Sequence, residues 1–139
     1  MVCLDSETFL RAGGSDAAAA SAREIRARLG QLCDKYVINL PVYALFTRMD
    51  RMPFFLDYVR NLSNEEASQV LGVTLPFAPG QRTGIYAEQE TARLSAAFEE
   101  LFRSLCRHRP EFLGREHEQS LLPGVYEFPR EFRKLRAPL

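Results

Sequence analysis

The sequence predicts an α/β fold, a parallel-sheet piece with several covering helices, and three observations carry that prediction. A strand–helix–strand order fills the first third of the chain: an apolar start at Met1-Val2-Cys3-Leu4, a long amphipathic helix, then a β-branched and aromatic run over residues 41–46. Such a crossover joins two parallel strands of one sheet with a right-handed connection. The second observation is where that run ends. Phe46 drops directly into Thr47-Arg48-Met49-Asp50, at the carboxyl end of a strand, where open parallel sheets place their ligands. The third is size: 139 residues at 46% hydrophobic content support one domain, residues 1–139, with a real core.

The elements follow in order. Residues 1–4 form a strand that opens at the first residue, so its neighbours are expected outside this chain, and self-association of the isolated chain is expected with it. Asp5-Ser6-Glu7 is a polar break, and residues 10–16 form a loop. Asp16 is placed to N-cap a helix over about residues 17–36. Ile25, Leu29, Leu32, Cys33 and Tyr36 recur at three- and four-residue steps and make an apolar stripe that packs on a sheet. The strand at 41–46 should bury Val42, Ala44 and Leu45 on both sheet faces, with Tyr43 under a helix. Residues 51–61 read as a short apolar helix with Pro53 in its first turn. Ser63-Asn64-Glu65-Glu66 is a capping box opening a helix that ends at Gly72, and residues 73–75 suit a short strand.

Pro76, Pro79, Gly80 and Gly84 mark residues 76–84 as a surface loop. A helix over about residues 85–108 turns Tyr86, Leu94, Ala97, Phe98, Leu101, Phe102 and Leu105 inward, and Pro110 ends it. A polar stretch leads to a last short strand at Val125-Tyr126-Glu127-Phe128-Pro129, and residues 130–135 restart a helix. The expected total is three to four strands and about five helices.

Composition excludes several function classes. Lys plus Arg and Asp plus Glu both number 18, so no net field favours nucleic acid or an anionic membrane. Cys3, Cys33 and Cys106 are far apart and odd in number, without metal-ligand spacing. They read as small core hydrophobes in a reducing compartment. No apolar run is long enough to span a membrane, and no signal peptide is recognisable. His108 and His117 have no partner at useful spacing, and no serine sits in a nucleophile elbow. No catalytic residue, metal or cofactor is expected.

Thr47-Arg48-Met49-Asp50 has the form of the base-reading loop of guanine-nucleotide-binding proteins, usually Asn/Thr-Lys-x-Asp. An aspartate two residues beyond the cation can accept two parallel hydrogen bonds from guanine's ring N–H and exocyclic amine, a pair adenine does not offer. The cation's stem lies along the base, and the leading Thr ties the loop to neighbouring backbone. The bland alternative is a polar turn with Asp50 as an N-cap. Arg48 stands where Lys is usual, which is not a neutral exchange. No Gly-x-x-x-x-Gly-Lys-Ser/Thr segment occurs to hold phosphates, so no nucleotide binding is expected of this chain.

Taken together, Leu40–Asp50, the apolar segment Met52–Tyr58, Ser63–Glu66, Gln69–Gly72 and Tyr126-Glu127-Phe128-Pro129-Arg130-Glu131-Phe132 resemble the cytoplasmic domain of the IcmF/TssM family, the large inner-membrane protein of the bacterial type VI secretion system. The resemblance runs over nearly the whole chain, and Phe-Pro-Arg-Glu-Phe is its most family-like part. It implies a P-loop-NTPase-like α/β domain at the inner face of the bacterial inner membrane, lying between transmembrane segments of a longer protein. It also implies partners among the other membrane-complex and baseplate proteins. On that reading the chain has a structural and interaction role, and Phe54, Phe55, Arg130 and Arg133 are its candidate partner surface. Two alternatives stay open: a guanine-nucleotide switch completed by residues outside this chain, and a stand-alone α/β binding module.

Overall fold

Val2–Asp5 (β1) and Ala44–Thr47 (β2) pair in parallel, with Val2 opposite Ala44 and Asp5 opposite Thr47. The long helix expected between them runs over Gly14–Tyr36 (α2), so the crossover is present. The computed structural model describes residues 1–37, 41–75 and 86–136. They fall into two units, Met1–Met52 and Pro53–Arg136.

In the first unit the chain does more with the polar break than sequence suggested. Asp5 leaves β1 and accepts the Glu7 N–H at 2.9 Å, N-capping a short helix, Ser6–Leu10 (α1). A turn through Gly13, at φ +78°, then starts α2 three residues before the expected helix. Asp16 therefore lies in the first turn, where its charge suits the helix dipole, and is not the cap. Gly14 is required by close approach: a Cβ there would stand 2.2 Å from the Thr8 carbonyl oxygen.

Three expectations for this unit are corrected. The sheet has two strands among the described residues, not three or four. Val42, Tyr43 and Leu45 are 52%, 67% and 49% exposed, so the strand is not buried on both faces. Of the α2 stripe, Leu32 and Tyr36 are exposed while Ile25, Leu29 and Cys33 are only half-buried. The physical reason is shared. Two strands present too little surface to cover a helix of 23 residues, and among the described residues this unit buries few side chains, Ser6 and Met52 among them.

The second unit has helices Phe55–Val59 (α3), Asn64–Ala67 (α4), Tyr86–Arg115 (α5) and Leu122–Arg133 (α6), with an aromatic core between α3, α5 and α6. The Ser63 box forms in full: Ser63 accepts from the Glu66 N–H, and the Glu66 carboxylate accepts from the Ser63 N–H at 2.7 Å. The helix it opens stops at Ala67, well short of Gly72, and residues 73–75 form no strand. Pro53 precedes α3 and is not inside it. The loop at 76–84 and the Tyr86 side chain lie outside the described residues.

Two proline readings are overturned. Pro110 does not end α5, which continues to Arg115. Leu105 and Phe112, on either side of it, are both buried, and their burial outweighs the backbone bond the proline forgoes. Residues 125–129 are helical, not a strand. Val125, Phe128, Pro129 and Phe132 are buried at helical spacing, so the local β-branched and aromatic preference yields to packing. Leu94, expected inside, is 51% exposed.

Candidate functional site

The Thr47–Asp50 loop is tied to the β1–α1 turn residue by residue. Thr47 Oγ1 donates to the Leu4 carbonyl at 3.2 Å, the anchoring role expected of the leading residue. Arg48 Nη1 reaches Asp5 Oδ2 at 3.1 Å and Glu7 Oε2 at 3.2 Å. Ser6, fully buried, sets its hydroxyl 3.1 Å from the Met49 sulfur. Asp50 lies in a single 3₁₀ turn, Met49–Arg51, with its carboxylate exposed and 3.6 Å from Arg51 Nε.

Arg48 makes contacts that its sequence position did not suggest. The guanidinium turns onto two carboxylates of its own unit. Its backbone is left-handed, φ +57°, a conformation costing on the order of 1 kcal/mol for a residue with a Cβ. Each exposed ion pair contributes at most about 1 kcal/mol. Strain and pairing are therefore of similar size, and the loop is held chiefly by Thr47 and the strand pairing behind it.

In the second unit, Phe54 and Phe55 diverge as adjacent residues at a helix start must. Phe55 packs edge-on to Phe128, with ring centroids 5.5 Å apart. Phe54 is 40% exposed and N-caps α3 from φ +66°, a strained backbone for an aromatic residue. Tyr58, one turn on, belongs to the core. Its ring meets Phe112 and Phe128, both at 4.9 Å, and its hydroxyl donates to the Leu105 carbonyl at 2.7 Å. Burial pushes its phenol pKa up.

Arg130 and Arg133 lie on the exposed side of α6. Arg130 pairs with Glu127 at 3.1 Å. Arg133 lies 4.9 Å over the Phe102 ring and 3.6 Å from Glu99. Tyr126, four residues before Arg130, is 47% exposed and carries the Arg109 guanidinium 4.4 Å over its ring. These residues extend the expected partner surface along one face of α6 onto α5. Sequence reasoning missed Tyr126 and Arg109 because it took residues 125–129 for a strand. Read as a helix, Tyr126, Arg130 and Arg133 fall at i, i+4 and i+7.

A polar hollow in the same unit is lined by Arg60, Asn61, Arg115, Glu116, His117 and Glu118. Arg115 binds Glu66 through both terminal nitrogens, at 2.6 and 3.1 Å, and also donates to the Asn61 carbonyl. Arg115, with the Ser63 N–H, lowers the Glu66 pKa to about 2. The backbone N–H of Glu118 lowers that of Glu116, with Asn61 and Arg60 assisting. Its cations and anions satisfy one another, which suits a structural brace. No His, Cys, Asp and Glu cluster able to hold a metal occurs among the described residues. No helix there is long and apolar enough to cross a membrane.

A family model, the IcmF-related N-terminal domain, matches residues 1–139. The chain is similar to a protein of Pseudomonas aeruginosa described as type VI secretion system component TssM1, at 34% identity over 124 residues. That match covers 88% of this chain and 11% of the relative. The chain thus spans about a tenth of the length of the curated relative it matches. No solved structure matches it.

Proposed function

Because the chain belongs to the IcmF-related N-terminal domain family, we propose that it is a structural and interaction part of a bacterial type VI secretion membrane complex, acting through protein contacts at the cytoplasmic face. The family match and the TssM1 relative support the secretion-system context. The observation that carries the interaction reading is Phe54, an aromatic residue held exposed in a left-handed backbone. Strain of that kind persists where surrounding structure imposes it, and it gathers at functional positions. The partners are other membrane-complex and baseplate proteins of the same system.

Nucleotide-switch ancestry is the second reading, and one feature favours it. Thr47 anchors a Thr-x-x-Asp loop at the carboxyl end of a parallel strand. In this chain that loop serves as a joint, anchored by Thr47, with Arg48 turned onto Asp5 and Glu7.

Photo-crosslinking in the native bacterium tests the interaction reading. With p-benzoylphenylalanine in place of Phe54, irradiation is expected to trap another type VI secretion protein. The same probe at exposed Leu94 serves as reference. No adduct at position 54, or the same adducts at both positions, would contradict the proposal.

A further inference from the structure

We propose that the α5–α6 face centred on Arg109 and Tyr126 is a docking site for carboxylates of an acidic segment in a partner protein. The inference rests on the interaction reading above but concerns a different surface from Phe54, and it is tested separately.

Arg93, Arg109 and Arg115 are half-buried arginines. Arg93 meets Glu90, and Arg115 meets Glu66 and Glu111. Arg109 meets no carboxylate among the described residues. Among the described residues its Nη2 has only the Cys106 sulfur, at 3.5 Å, a weak acceptor, and its buried Nε has no hydrogen-bond partner. Partly removing a guanidinium from water without a counter-ion is unfavourable, so the site is incomplete by itself.

The surroundings state what would complete it. The Arg109 guanidinium carbon lies over the Tyr126 ring, and the terminal nitrogens, unlike the buried Nε, are the ones left to form a two-point bond with a planar carboxylate. Arg130 and Arg133 continue the same face of α6. From Tyr126 to Arg133 the helix advances about 10 Å at ~1.5 Å per residue. Arg130 and Arg133 already hold Glu127 and Glu99 across exposed contacts, which are weak and exchangeable. The ridge therefore fits two or more carboxylates spaced along a peptide. A single compact anion would use only one end of it.

The test is an NMR titration of the chain with a hexaglutamate peptide and, separately, with inorganic phosphate. Saturable binding is expected for the peptide, seen as shifts of the Arg109 Nε–Hε and Tyr126 ring resonances. Binding should weaken at least tenfold in Arg109→Gln and be unchanged in Arg107→Gln, which lies on the other side of α5. The resonance shifts need no variant, so a poorly folding Arg109→Gln leaves the test intact. Absence of saturable binding, shifts confined to other residues, equal affinity in Arg109→Gln, or tighter binding of phosphate than of peptide would each overturn the proposal. Crosslinking at Phe54 can succeed or fail independently of this result.

Discussion

The Arg48 guanidinium and the Asp5 carboxylate, 43 residues apart in sequence, meet at 3.1 Å. The contact closes the end of β2 onto the turn that follows β1. It also occupies the cation that a base-reading loop would lay along a nucleobase. In this structure the Arg48 side chain of the Thr47–Asp50 segment reaches across the ends of the two paired strands.

Isothermal titration of the chain with GTP and Mg²⁺ is expected to give no binding up to millimolar concentration, and no hydrolysis. The phosphate-holding motif is absent from the sequence, and phosphate contacts dominate such affinities. A micromolar Kd that Asp50→Ala abolishes would overturn this.

The Asp57–Gly124 approach predicts a non-additive pair. A Cβ on Gly124 would stand 1.9 Å from Asp57 Oδ2, so Gly124→Ala must displace either the carboxylate or α6. A loss of about 1–3 kcal/mol is expected, as for overpacking. Asp57→Ala in the same chain should recover much of it, since neighbouring substitutions couple. Denaturant melts of the three variants read the coupling, and strict additivity would show that α6 approaches α3 differently.

Tyr58 separates the hydrogen bond from the ring. Tyr58→Phe should cost about 1 kcal/mol, because the Leu105 carbonyl loses a buried donor. Tyr58→Ala should cost about 3–5 kcal/mol, because the cavity lies among Phe112 and Phe128. Thermal melts giving equal losses for the two would contradict the packing described.

Much of this core was legible in sequence, and the parts that were not share a cause. The Ser63–Glu66 box was readable because both halves of a capping box lie within four residues. The parallel pairing of β1 and β2 followed from their apolar runs and the helix between them. Pro110 and the 125–129 segment were misread because local rules for proline and for β-branched residues compete with burial, and burial is set by residues far away in sequence. Glu66 shows the same limit at the level of a side chain. Its part in the cap was legible, but its bidentate bridge to Arg115, 49 residues on, was not. Of the candidate site, Thr47's anchoring was foreseen; the capture of Arg48 by Asp5 and Glu7 was not, because it depends on how a polar break folds into α1.

That bridge sets a pH dependence. Glu66 has a folded pKa of about 2 against an ordinary value of 4.5. Its stabilising contribution is thus complete above the unfolded value and is lost as pH falls from about 4.5 toward 2. Stability measured by urea melts should fall over that window, and less steeply in Glu66→Gln. An identical slope in the variant would remove Glu66 from the account.

On the proposed function, this chain works through its protein-contact surface and the Thr47–Asp50 loop is structural. Type VI secretion by the native bacterium, measured as release of a secreted component of the system, tests it most directly. With Asp50→Ala in the chromosomal gene, secretion is expected to stay near the wild-type level. With Phe54→Ala, Arg130→Glu and Arg133→Glu combined, and the folded protein present at normal abundance, it is expected to fall at least tenfold. Loss of secretion with Asp50→Ala, together with normal secretion from the triple variant, would contradict the account.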